Sequence, residues 1–285
     1  MRRRSAIHDG LVGARELVGT RYLADPALRA GYARDIAPRT EAALARVLEE
    51  IYGRGGAAAP ARALDLGAGT GAVGRALRAR FGERLEVAAV DAVVEPGSGV
   101  VRADLARELP AVSGRFDLVV AARRPARASG GTLVLVEPAL RETSRELLAV
   151  RDLVVAGGLA VVAPCIWAGP CPALARDRDW CHDAASGRGG GRVDFSYLVL
   201  RVGGAPAAAP GAVRVVSDLL CDKGRLRLYG CGGKGRHLFT RLDRDASDAN
   251  AAFADARRGD VLVIAGDEPA GEGARVGAAG TVTRR

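Results

Sequence analysis

The sequence predicts a doubly wound α/β sheet with an N-terminal helical region, a cysteine-rich insertion and a small C-terminal β-rich domain. Three observations predict it. Short apolar runs alternate with amphipathic helical stretches between residues 61 and 201. The first run, ARALDL, passes straight into a glycine turn, Gly67 to Gly71, and then a helix, AVGRALRARF. Two late runs, GGLAVVAP and VDFSYLVLR, bracket a Pro- and Gly-rich segment that holds Cys165, Cys171 and Cys181. Alternation of this kind belongs to a largely parallel sheet covered by helices on both faces.

Residues 5 to 53 read as helical, because Ile36, Ala43, Leu44, Val47, Leu48 and Ile51 recur at helical spacing. GRGGAAAP (53–60) is a linker that ends this region, so the N-terminal helical region spans 1–60. Strands follow at 61–66, at LEVAAVDAV ending near Asp91, at VRADL with Asp104, at 115–122 and at 130–138. An amphipathic helix covers 141–156, and GLAVVAP and VDFSYLVLR complete a domain over 61–201 with its cysteine insertion at 163–192. From Arg214 short strands are joined by Asp-Lys-Gly and Gly-Gly-Lys-Gly turns, which predicts a β-rich domain over 206–270. DANAAFADARRGDVLVIAG reads there as a helix and a last strand, and residues 271–285 as a frayed tail.

The 285 residues, 48% of them hydrophobic, can bury one large core or one domain with a satellite. There is no run of 18 apolar residues, so no membrane span is expected. The basic start lacks the apolar core of a secretory signal, and Asp9 and Glu16 count against a transit peptide. A cytoplasmic monomer is expected, and there five cysteines favour metal or cluster ligation over disulfides. The net charge of +9 is carried almost wholly by arginine, which suits nucleic-acid phosphates. A GC-rich genome that writes Arg for Lys explains it equally well. Aromatics are only 4% of the chain, which argues against a single-strand binder built on stacking platforms.

A strand that runs into a glycine turn and a helix offers backbone N–H groups to a polar or anionic ligand. Asp91, at the tip of the second strand, can accept both hydroxyls of a ribose. Gly69, Gly71 and Gly74 satisfy the G-x-G-x-x-G pattern of NAD-binding domains, a weak signal in a chain with 38 glycines. LDLGAGTG instead resembles motif I of the Rossmann-like class I S-adenosylmethionine-dependent methyltransferases. Asp65, Gly67, Gly69 and Gly71 fill its positions, with Asp91 as its ribose acid and Asp104 as its adenine-side acid. In that fold the last two strands form an antiparallel hairpin. A related domain with a vestigial pocket is the third possibility. VVAARRPARASGG lacks the Asn/Asp-Pro-Pro-aromatic motif of amino-group methyltransferases and leaves little room for a crossover helix. The sequence thus marks a cofactor pocket and no catalytic residue.

The spacing C-x5-C-x9-C at Cys165, Cys171 and Cys181 matches neither a zinc knuckle nor a ferredoxin run. A fourth ligand is needed, and His182, Cys221 and Cys231 are the candidates. Iron–sulfur is the preferred occupant and zinc the alternative. Trp180 reads as packing over the site, Cys221 as a spare buried thiol, and His8 and His237 as ordinary surface or partly buried histidines.

LVLVEP (133–138), VVAPC (161–165), PCP (170–172), DWCH (179–182) and SYLVL (196–200) together resemble the bacterial and mitochondrial small-ribosomal-subunit methyltransferase-like family over roughly residues 30 to 260. The resemblance implies a methyltransferase-fold protein that binds or methylates 16S ribosomal RNA or assembles the small subunit. It implies a 4Fe–4S cluster on Cys165, Cys171, Cys181 and the distal Cys231. Asp183 stands where the family has an aromatic residue, and DAASGRGGGR where it has a basic helix. A methyltransferase, a non-catalytic assembly factor and an NAD-binding oxidoreductase remain as the functional readings.

Overall fold

The computed structural model describes residues 6–53, 56–108, 110–122, 131–202 and 209–285. The shortened segment after the fourth strand, at 123–130, lies outside the described residues.

The helical N-terminus is three helices, not one run: α1 (Ala6–Val12), α2 (Pro26–Asp35) and α3 (Ala37–Tyr52), with a single 3-10 turn at Tyr22–Ala24 between the first two. Asp25 starts α2 by accepting the Ala27 and Leu28 N–H groups, and Pro26 takes the first helical position, where it needs no donor. Helix α3 buries Leu44, Val47, Leu48 and Ile51 against the sheet.

The sheet is built from β1 (Arg62–Leu66), then helix α4 (Ala72–Phe81), β2 (Glu86–Asp91), β3 (Val101–Arg102), β4 (Leu118–Ala122), β5 (Thr132–Pro138), helix α5 (Arg141–Ala156), β6 (Ala160–Ala163), β7 (Asp183–Ser186) and β8 (Arg192–Arg201). Its order is β3-β2-β1-β4-β5-β8-β6. The first five of these strands are parallel, while β8 runs antiparallel to both β5 and β6. Both faces are covered: Ala63 and Leu118 pack toward α3 and α4, Leu64 and Leu133 toward α5. The stretch DAASGRGGGR forms β7 and a turn into β8, pairing Asp183 with Phe195 and Ser186 with Arg192.

The C-terminal region holds β9 (Ala212–Val215), β10 (Leu220–Asp222), β11 (Arg225–Gly232), β12 (Gly235–Leu242), β13 (Val261–Ala270) and β14 (Gly273–Arg284). Strand β9 pairs with both β11 and β13, so the sheet closes on itself. Its core is Val215, Leu228, Phe239, Phe253 and Leu262. Two expectations are corrected here. Asp248–Phe253 is a 3-10 segment rather than an α-helix, held by the capping box of Ser247 and Asn250. Residues 273–284 are no frayed tail but the strand β14, paired along β13 and beside β12. Its inward residues include Ala274, Val276 and Val282, and the many small residues among them hide the alternation.

Barrel and sheet meet at a buried guanidinium. Arg214 of β9 is 6% exposed. It donates to Glu50 of α3 (3.0 Å), to Asp183 of β7 (3.2 Å) and to the Tyr197 hydroxyl of β8 (2.7 Å), which itself donates to Glu50. Burial pushes the Glu50 carboxyl up, but the hydrogen bond and charge of Arg214 outweigh it and hold Glu50 below the usual 4.5. Stability from this pair is therefore present above pH 4.5 and is lost as pH falls through the lowered folded value. Arg214→Ala strands two carboxylates and is expected to cost about 3–5 kcal/mol near neutral pH. Urea midpoints check this: the gap between variant and parent should narrow in acid, and a gap that is absent or independent of pH refutes the clasp.

Candidate functional site

Two cavities share one wall. The larger, about 680 Å³, opens over the carboxyl ends of β1, β2 and β5. Gly67 (φ +85) and Gly69 (φ +52) turn the chain from β1 toward α4 in the left-handed region, where only glycine is unstrained. Gly69 is also approached by Leu23, whose methyl would stand 3.3 Å from an added Cβ. Asp91 holds the loop by accepting the Gly69 and Val93 N–H groups, both at 2.8 Å.

Of the six residues expected at this pocket, Gly67, Gly69, Asp91 and Asp104 line it. Gly71 instead caps α4 with φ +79. Asp65 lies 1% exposed on β1, and its Oδ1 has no hydrogen-bond partner. Burial, then the charge of Asp91, pushes its carboxyl up to about 7. Asp104 is held below the usual carboxylate range by the Ala106 N–H and by Arg21 and Arg107.

The N-terminal segment is a wall that the sequence did not indicate. Leu11, Val18, Tyr22 and Leu23 line the pocket. Arg15–Glu142 (2.8 Å), Arg21–Asp104 (3.4 Å) and Arg29–Glu95 tie that segment across it.

The second cavity, about 60 Å³, lies between the cysteine segment, β8, β9 and β11. Cys165, Cys171, Cys181 and Cys231 all line it, as do Trp167, Trp180 and His182. Burial raises all four thiols; it and the neighbouring cysteines push Cys181 and Cys231 up to about 12. Among the described residues, no three His, Cys, Asp or Glu side chains are grouped closely enough to hold one metal ion. Cys231 lies within β11, with Arg214 and Arg236 as its register partners, rather than in a turn after it. Cys221 is exposed on β10, not buried, and is outside the cavity. Trp180 stacks on His182 with ring centroids 4.4 Å apart. Burial and Arg258 push His182 down to about 4, so its ring is neutral at pH 7.

Helix α5 holds the cysteine segment in place. Arg145 donates to the carbonyls of Ala173 (3.1 Å), Arg176 (2.9 Å) and Asp179 (2.8 Å). Arg151, 1% exposed, donates to the carbonyls of Trp167 and Gly169 and to Asp152, and also hydrogen-bonds Cys165. Asp152 accepts the Cys171 N–H at 3.0 Å, and Ser144 and Ser196 donate to the Cys181 carbonyl. Nothing in the sequence marked these groups beyond an amphipathic helix; a polar stripe on its inner face was the available signal.

A parallel sheet with one antiparallel strand placed between its last two parallel members, and a ligand pocket at the glycine turn, defines a class I methyltransferase fold. An NAD-binding sheet of order 3-2-1-4-5-6 has no such strand. The sequence model of the family described as mitochondrial small ribosomal subunit Rsm22 matches residues 100–260, more than half of the chain. The chain belongs to this family. No curated protein matches it. Among solved structures it is similar to the plantazolicin methyltransferase BpumL in complex with SAH, at 16% identity and TM-score 0.33, over 51% of this chain and 66% of that one. It is also similar to a predicted O-methyltransferase, Atu636, from Agrobacterium tumefaciens (19%, TM-score 0.31, 57% of this chain and 86% of that one). TrmN from Thermus thermophilus is a third (19%, TM-score 0.30, 57% and 52%). The chain spans less than two thirds of the length of the BpumL chains.

Asp65 offers a direct check on the pocket. With its folded value raised from 3.8 to about 7, the stability that is full below pH 3.8 is lost as pH rises through 7. Asp65→Asn cannot ionise, so it should raise the melting temperature of the ligand-free protein at pH 8 and not near pH 4. Equal shifts at both pH values in scanning fluorimetry would refute the assignment.

Proposed function

We propose that this protein is a methyltransferase-fold factor of the small ribosomal subunit that binds 16S ribosomal RNA. It takes S-adenosylmethionine over the glycine loop and carries a 4Fe–4S cluster on Cys165, Cys171, Cys181 and Cys231. The single observation that carries this reading is the convergence of those four cysteines, from two distant parts of the chain, on one cavity.

The donor set fits the group. Thiols held up to about 12 by burial and by one another ionise only beside strong positive charge, which a metal centre supplies. A cubane gives each thiolate its own iron, so its sulfurs stand further apart than those around one zinc. When bound, the cluster supplies a redox-sensitive cross-link between barrel and sheet. Arg151 positions Cys165, Asp152 and Ser144 position the backbones of Cys171 and Cys181, and β11 positions Cys231.

At the other cavity we assign Asp91 to the ribose hydroxyls and Asp104 to the adenine, and both residues line the pocket. Asp65 lies buried under the loop, with its Oδ1 unpartnered. Glu137 and Glu146 line the far end of the pocket. Carboxylates there repel the phosphates of an RNA acceptor, and this favours the non-catalytic assembly factor as the second reading.

Calorimetry should register S-adenosylmethionine binding, and Asp91→Ala should weaken it at least tenfold. Binding to 16S ribosomal RNA should fall steeply with salt, as phosphate contacts require. Tight binding of NAD alone, or no RNA binding at any salt, would sink the reading. Transfer of labelled methyl to 30S subunits separates the enzyme from the assembly factor. Anaerobically purified protein should be brown, with iron and acid-labile sulfide. Cys231→Ser should lose both and Cys221→Ser neither; a colourless protein with one zinc would refute the cluster.

A further inference from the structure

The closed C-terminal sheet carries an inference that rests on the RNA-binding reading and deepens it. Around the barrel the strands run β9-β11-β12-β14-β13 and return to β9. Strands β12 and β14 are its one parallel pair, and a short helical segment, Asp248–Phe253, links the third strand to the fourth. That is the connectivity of the oligonucleotide- and oligosaccharide-binding barrel, which receives its ligand across its second and third strands. Those strands are β11 and β12.

The cysteine segment lies against the tip of this hairpin. Trp167 rests on the turn: a Cβ added to Gly233 would stand 3.5 Å from its ring. At the edge bearing the indole nitrogen a Cβ at Gly169 would collide with the ring, so both glycines keep room for it. The Arg151 guanidinium holds the Trp167 carbonyl. The backbone of Trp167 is therefore fixed, and yet the residue is 38% exposed. Arg176 and Arg178 of the cysteine segment and Lys234 of the hairpin turn are exposed. The acids there are engaged, Asp177 with Arg145 and Asp179 with Arg236. An exposed aromatic plane with cations near it, at the tip of the strand pair that forms the ligand face of such a barrel, has the composition of a single-strand site. The low aromatic content argued against a series of stacking platforms, but this seam requires only one.

We propose that the seam between the cysteine segment and the β11–β12 hairpin binds single-stranded RNA, with one base stacked on Trp167 and the adjoining phosphates on Arg176, Arg178 and Lys234. The segment bearing Trp167 also bears Cys165 and Cys171, so the wall of the RNA site and those thiols share one stretch of backbone.

The test uses the full chain, purified anaerobically, with a labelled single-stranded RNA of about ten nucleotides and a hairpin duplex of equal length. Anisotropy should show the single strand bound more tightly, with quenching of tryptophan emission. Trp167→Ala should weaken single-strand binding by roughly ten- to a hundredfold. Trp167→Phe should retain most of the affinity and lose the quench. Lys234→Glu, on an exposed turn, should weaken binding several-fold with unchanged metal content; with Trp167→Phe it decides the matter should Trp167→Ala not fold. If these variants bind the single strand as the parent does, or the parent prefers the duplex, while 16S ribosomal RNA still binds, the seam is overturned and the ribosomal reading stands. If the parent binds no RNA of any kind, both fall.

Discussion

Bringing Cys231 to the other three cysteines demands that a barrel some fifty residues further along be held at one place on the sheet. The Arg214 clasp meets that demand. Arg214 is the register partner of Cys231 across β9 and β11, so a fixed guanidinium fixes the thiol beside it. Its partners are equally well placed: Asp183 follows Cys181 by two residues, and Tyr197 lies on β8 against the same cavity. A surface ion pair could not do this, because exposed pairs contribute too little to hold two domains in register. Burial makes the interaction strong once formed and costly to break on one side, which favours one seating of the barrel.

The cysteine segment has the opposite problem. It has little regular structure of its own, so its backbone groups need partners from elsewhere. Helix α5 supplies them through Arg145, Arg151 and Asp152, long or charged side chains directed at carbonyls and an N–H rather than at solvent. A guanidinium suits this task, since its several donors satisfy several carbonyls at once. The two arginines leave the loop organised whether or not the thiols are bridged.

The strands of the sheet, the glycine turn and the cysteine segment were legible in the sequence because each leaves a local mark: apolar runs, glycines at fixed offsets, thiols between prolines; that β8 lies between β5 and β6 was not. What was not legible is long-range or disguised. Arg214 stands in an unremarkable run, RVV, and acquires its role only from Glu50 and Asp183, which lie far from it in sequence. The N-terminal wall of the larger pocket depends on arginines that look like any others in so basic a chain. Strand β14 is rich in glycine and alanine, so its alternation does not register as hydrophobic periodicity. Cys221 read as a spare buried thiol, yet it is exposed on β10, a short edge strand.

Helix α5 is the wall between the two cavities, and helical geometry explains how one element serves both. Thr143, Glu146, Leu147 and Val150 recur at three- and four-residue steps and face the glycine-loop pocket. Ser144, Leu147, Leu148 and Arg151 form the next stripe and face the cysteines. Leu147 belongs to both. The helix therefore cannot rotate or slide to suit a ligand on one side without moving Ser144 and Arg151, and with them the backbones of Cys181 and the Trp167 turn. In a close-packed interior such a displacement is transmitted rather than absorbed. The glycine-loop pocket and the cysteine cavity thus share the same sixteen-residue element, which also holds the Trp167 carbonyl through Arg151.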